Sequence, residues 1–250
     1  MKRLTCIHFA ADIMGHPDES HTISNDDSQI LFGEQFEVEE ERGAYVYGTN
    51  LTDGYKGCIE RVYLALDIPK ATHAVTNLTA HLYPEPNFKS RPELLAPYMG
   101  RISCENETNN GFLRTHDHFW IHENHVQEVA KTTSNKDLAD TALQFLGTPY
   151  LFAGRTAMGI DCSALVQLSL MAMGQKCPPR DTKDQMHNIG KDVTGTPPKR
   201  NDIVYYKGHV GIMIDDKKIL NATARHMKTL IEPIEDLTAE YGDILGICRL

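Results

Sequence analysis

No stretch of the 250-residue chain approaches the roughly 20 consecutive apolar residues of a membrane-spanning helix, so an α-helical membrane protein is excluded. Basic residues are in deficit. The 25 Lys and Arg against 34 Asp and Glu leave a net charge of −9, which offers no cationic footprint to a nucleic-acid backbone. There is no CxxC pair. Cys6, Cys58, Cys104, Cys162, Cys177 and Cys248 are scattered through the chain, which suits the reduced thiols of a cytoplasm better than a disulfide framework. The leading MKRLTCIHFAADIMG lacks an unbroken apolar core, because His8 and Asp12 interrupt it, and it reads as a poor secretion signal. A cytoplasmic location is the expectation. What remains, 41% hydrophobic and 24% charged residues, is the composition of an ordinary globular chain.

Along the chain, the first half reads as β structure. ILFGEQFEVEEE alternates apolar and polar residues, AYVYGTNL follows, and the turn at Asp53-Gly54 leads into YKGCIERVYLAL. Residues 70–126 repeat the style, with Pro84, Pro86, Pro92 and Pro97 confining strands to edges or loops. Two small barrels, residues 1–68 and 69–126, are expected. The character changes near residue 127. SNKDLADTALQFLG predicts a helix with Leu138, Ala142, Phe145 and Leu146 on one face, Ser134 or Asn135 as cap and Gly147 as stop. SALVQLSLMAMG predicts a buried helix ended by Gly174, and NDIVYYK, HVGIMID, KILNAT and DILGICRL predict four strands. Residues 127–250 therefore read as an α+β domain with helices packed on an antiparallel sheet.

The stretch that carries chemistry runs from Gly147 to Gln167. Cys162 stands between a Gly-rich loop and the first turn of the second helix, where unpaired N–H groups favour thiolate and lower the thiol pKa. Asp161 is a natural cap for that helix. A nucleophilic thiol needs a base distant in sequence, and His209, flanked by glycines at the start of an apolar strand, is the candidate. Asn221 interrupts the apolar run of the next strand and is the candidate for orienting the imidazole. His226 is the alternative for that role.

Taken together, GTPYLFAGR…GIDCSALVQ, NDIVYY, GHVGI and ILNAT resemble the NlpC/P60 family of papain-like cysteine peptidases, over about residues 130–250. The segments ahead resemble bacterial SH3-type modules, and the arrangement resembles the γ-D-glutamyl-L-diamino acid peptidases of murein-peptide recycling. The resemblance implies Cys162 as nucleophile, His209 as base and later acid, and Asn221 as the orienting group where the family most often has a second histidine. It implies Tyr150 at the oxyanion and Asp161 and Ser163 on the substrate side. It also implies Asp181, in PPRDTKDQ, on the substrate's free ammonium. Glu34 and Tyr55 of the first barrel would close that pocket, so that only short murein peptides with a bare amine enter. Ala164 departs from the family's glycine after Cys-Ser. No cofactor and no metal are implied.

Four histidines crowd HDHFWIHENH (His116, His118, His122, His125), but this stretch is expected to close the second barrel rather than to hold metal. Trp120 within it is expected in the core. Two other functions fit the same residues. One is a catalytically weak murein-peptide-binding module, suggested by Asn221 and Ala164. The other is an amidase or acyltransferase on the same scaffold.

Overall fold

The computed structural model describes residues 2–15, 23–24, 27–131 and 136–250, which fall into two compact units, Met1–Thr132 and Thr133–Leu250. Among the described residues, no helix is long and apolar enough to cross a membrane.

The first unit is built of strands with two apolar centres. Period-two alternation acts as the sequence implies: Tyr45–Asn50 buries Val46, Gly48 and Asn50 and leaves the residues between half-buried. This strand lies in a five-stranded antiparallel sheet of order 56–60, 45–50, 35–42, 2–6, 64–65, beside a pair formed by Ala10–Ile13 and Ser28–Leu31. Leu4, Ile13, Ile30, Phe36, Val46 and Ile59 form the core. The N-terminal segment, expected within the first barrel and read as a poor secretion signal, supplies two strands, Lys2–Cys6 and Ala10–Ile13. The polar interruptions that spoil an apolar run are the outward positions and turn of β structure.

A second five-stranded sheet runs 94–97, 79–83, 120–122, 112–115, 104–109, next to a three-stranded one of order 101–102, 73–75, 126–128. Pro97 ends the edge strand Leu94–Pro97, where a missing N–H costs no ladder bond. Val75, Leu82, Ala96, Ile102 and Ile121 pack between these strands, and Trp120 is buried. One glycine here is obligatory. Gly33 has φ +77°, and a Cβ on it would sit 1.8 Å from the Arg101 carbonyl oxygen.

The second unit begins with a helix over Leu138–Ala142 that tightens into a 3₁₀ turn over Leu143–Phe145. Asp137 is its cap, accepting the Asp140 N–H at 2.8 Å; Ser134 and Asn135 lie outside the described residues. Leu138, Ala142 and Phe145 are buried as expected, but Leu146 is exposed. Tightening from 3.6 to 3 residues per turn carries it off the buried face. Gly147, at φ +85°, stops the run.

The helix Cys162–Ala172 is buried along its whole length, as its apolar surface on every side requires. It ends in a Schellman motif: Gly174, at φ +76°, donates to Met171 O and Gln175 donates to Leu170 O. Beside it lies a six-stranded antiparallel sheet of order 191–192, 246–249, 203–206, 209–213, 218–223, 228–233. Four of these strands match the expected runs. The strand Lys228–Pro233 and the helix Ile234–Tyr241 were not expected, because KTLIEP lacks alternation and the helix buries only Leu237.

Candidate active site

The nucleophile candidate is held by its helix start. Asp161 is the N-cap, its Oδ1 accepting the Ala164 N–H at 2.9 Å. The same carboxylate is gripped by Arg180, Nη1 to Oδ1 at 3.0 Å and Nη2 to Oδ2 at 2.5 Å, with both side chains buried. Ser163 donates its hydroxyl to Asp161 Oδ1 at 3.1 Å and accepts from Arg180 Nη1. Gln185 Nε2 donates to the Ser163 carbonyl at 3.0 Å. The loop PPRDTKDQ is therefore clamped onto the first turn of the helix. Asp181 takes the N-cap position of the short helix Thr182–Gln185, half-buried.

Cys162 is 8% exposed. Burial, then the nearby Asp161 carboxylate, pushes its thiol up to about 12, while the Val210 and Ser163 backbones and Arg180 pull it down. The expectation of a lowered thiol pKa is corrected here. The helix-start amide acts in the predicted direction, but desolvation of the sulfur outweighs it. The Val210 hydrogen bond brings the sulfur against the residue that follows His209 in the strand His209–Met213.

His209 is itself buried, and burial pushes its imidazole down to about 4. Its Nε2 meets Asn221 Oδ1 at 2.9 Å, so Asn221 is the group in contact with the imidazole, while His226 lies in an exposed turn. Three residues that the motif reading missed complete this side. Tyr241 stacks on His209, with ring centroids 4.2 Å apart and planes 10° apart, and its hydroxyl bonds Thr223 Oγ1 at 3.1 Å. Glu232 Oε1 accepts from Asn221 Nδ2 at 2.9 Å, and Glu232 Oε2 is bonded by Arg225. Tyr241 and Glu232 stand on the two elements that the sequence left unread. Only strand register joins Glu232 to Asn221: Asn221 pairs with Leu230 and Ile219 with Glu232, which makes the two polar residues diagonal neighbours.

Tyr150 is half-buried. Burial and the nearby Cys162 and Asp161 push its phenol up, so it remains a hydrogen-bond donor. Glu34 and Tyr55 belong to the first unit. Glu34 is buried and its Oε2 accepts from the Leu31 N–H at 2.9 Å and Asn50 Nδ2 at 3.2 Å. Asn50 also donates its N–H to the Tyr55 carbonyl at 2.8 Å, so one residue ties the two together.

The histidine-rich stretch does not converge. His118 Nδ1 lies 3.2 Å from Arg114 Nη2, and His122 Nδ1 accepts the Asn124 N–H. Among the described residues, no group of three His, Cys, Asp or Glu is arranged to hold a metal, and all six cysteines are free thiols.

Residues 147–241 match the NlpC/P60 family. The chain is 29% identical over 105 residues to a probable endopeptidase NlpC homolog of Haemophilus influenzae, covering 41% of this chain and 57% of that protein. It is 27% identical over 217 residues to a gamma-D-glutamyl-L-lysine dipeptidyl-peptidase of Bacillus subtilis, covering 78% of this chain and 71% of the other. The fold is shared with an NlpC/P60 family protein from Bacillus cereus at a TM-score of 0.83 and 21% identity, over 99% of both chains. Cys162, His209, Asn221, Glu232 and Tyr241 all fall within the matched span, and the chain carries an NlpC/P60 family domain.

Proposed function

We propose that the protein is a cysteine peptidase that hydrolyses the γ-D-glutamyl-L-diamino acid bond of short murein peptides with a free N-terminus. On this reading it acts in cytoplasmic peptide recycling, and its two β modules are of bacterial SH3 type. The observation that carries the proposal is the buried Cys162 at a helix start, its sulfur against the strand whose His209 is held by Asn221.

In the resting site both groups are neutral, a thiol and an imidazole. His209 takes the thiol proton as the sulfur attacks the γ-carbonyl carbon, and the carbonyl electrons move to oxygen. The Cys162 N–H and the Tyr150 hydroxyl stabilise that oxyanion, each donor contributing about 3–4 kcal/mol. As the tetrahedral species collapses, the C–N bond breaks and His209 protonates the leaving amine. Water then loses a proton to His209 and attacks the thioester; the sulfur leaves and recovers the proton. Asp161 supports the site through its cap and its pair with Arg180, and Asp181 is proposed to meet the substrate ammonium.

Incubation with L-Ala-γ-D-Glu-diaminopimelate, analysed by mass spectrometry, tests the proposal. Release of diaminopimelate by the wild type and none by Cys162→Ala is expected, with the N-acetylated peptide turned over far more slowly. The burial that keeps Cys162 a neutral thiol favours a second reading, a murein-peptide-binding module. Binding without any wild-type hydrolysis would establish that instead.

A further inference from the structure

The chain His209–Asn221–Glu232–Arg225 continues beyond the three residues of the proposed catalytic set, and its polarity can be read in one direction only. A carboxylate accepts and never donates, so the Asn221 NH₂ must face Glu232 Oε1, at 2.9 Å. The Asn221 oxygen therefore faces His209, at 2.9 Å. An amide oxygen accepts only, so His209 Nε2 carries the ring proton and Nδ1 keeps the lone pair. Arg225 only donates, and its bond to Glu232 Oε2 keeps the far end of the chain an acceptor. Glu232 and Asn221 are buried, so water does not compete for these positions.

We propose that Glu232 is a positioning residue that sets the tautomer of His209 through Asn221, with Arg225 locking the direction of the chain. This deepens the peptidase reading and rests on it for its effect on rate, but the tautomer itself is independent of any activity.

The decisive variant is Glu232→Gln. Arg225 still demands an acceptor, so the new amide turns its oxygen to Arg225 and its NH₂ to Asn221. Asn221 must then flip and present its own NH₂ to His209. Nε2 becomes the acceptor, the proton moves to Nδ1, and the ring loses its base on that side. Nitrogen-15 NMR of histidine-labelled protein at neutral pH reads this directly. The wild type is expected as the Nε2–H tautomer and Glu232→Gln as mainly Nδ1–H. With the murein tripeptide, kcat is expected to fall about 10²–10⁴-fold, the scale of a wrong-tautomer imidazole, with KM within about twofold. Arg225→Ala added to Glu232→Gln frees the amide to turn back, so the double variant is expected to regain the Nε2–H tautomer and part of kcat. A merely structural Glu232 predicts no such recovery. An Nε2–H tautomer in Glu232→Gln, or no recovery in the double variant, overturns the proposal. Absence of wild-type turnover with the tautomers as described overturns only the peptidase reading.

Discussion

Replacing Arg180 by methionine isolates the buried pair that holds the nucleophile helix. Methionine keeps much of the length and the apolar stem but removes the guanidinium. Asp161 is left with the Ala164 N–H at 2.9 Å and the Ser163 hydroxyl at 3.1 Å, in a setting where its side chain is only 8% exposed. Removing one partner of such a pair leaves an uncompensated charge and costs about 3–5 kcal/mol. That is a large share of the roughly 5–15 kcal/mol by which a domain is stable. Urea unfolding followed by far-UV circular dichroism measures it, because Trp120, the only tryptophan, belongs to the first unit and its fluorescence follows that unit. Adding Asp161→Asn removes the stranded charge while an asparagine still caps the helix, so the double variant is expected to recover at least half of the loss. A loss below about 1 kcal/mol in Arg180→Met, or a double variant no more stable than the single, refutes the reasoning.

The depressed imidazole gives an acid limit. The His209 value in the folded protein lies near 4, below the ordinary 6.5, so its stabilisation is complete above about pH 6.5 and is lost as pH falls through 4. Wild type minus His209→Gln is expected to lose about 3 kcal/mol across that window in urea titrations, and a flat difference would contradict it. The raised Cys162 thiol acts at the other end. Its contribution is complete below about pH 9 and is lost towards pH 12, so Cys162→Ala should flatten the alkaline decline of the melting temperature. Gly33→Ala places a methyl 1.8 Å from the Arg101 carbonyl oxygen at φ +77°, and a loss of at least about 3 kcal/mol is expected by chemical denaturation. Tyr241→Leu removes the ring stacked on His209, and kcat on the murein tripeptide should fall about 2–10-fold. Tyr241→Phe keeps the ring and should stay near wild type; an equal fall in both would point to the hydroxyl.

The helix of Cys162, its Asp161 cap, the Gly174 stop and the strands of His209 and Asn221 were legible because each is written locally. A short polar side chain precedes an apolar run, a glycine follows it, and a lone polar residue interrupts a strand. The two N-terminal strands were not delineated individually, because polar breaks look alike whether they interrupt a leader or mark the outer face of a sheet. The neutral state of Cys162 was also beyond reach, since helix position is visible in sequence and desolvation is not.

What the chain order determined by itself was the set of chemical groups and the elements that carry them: thiol, imidazole and amide, each on its own helix or strand. Tertiary structure alone decided their company. Glu232 reaches Asn221 only through the register of two strands, Tyr241 reaches His209 from a helix with one buried residue, and Arg180 closes on Asp161 from 19 residues away. Local sequence encodes backbone preference, whereas hydrogen-bond direction, stacking and dielectric depend on what folding brings alongside.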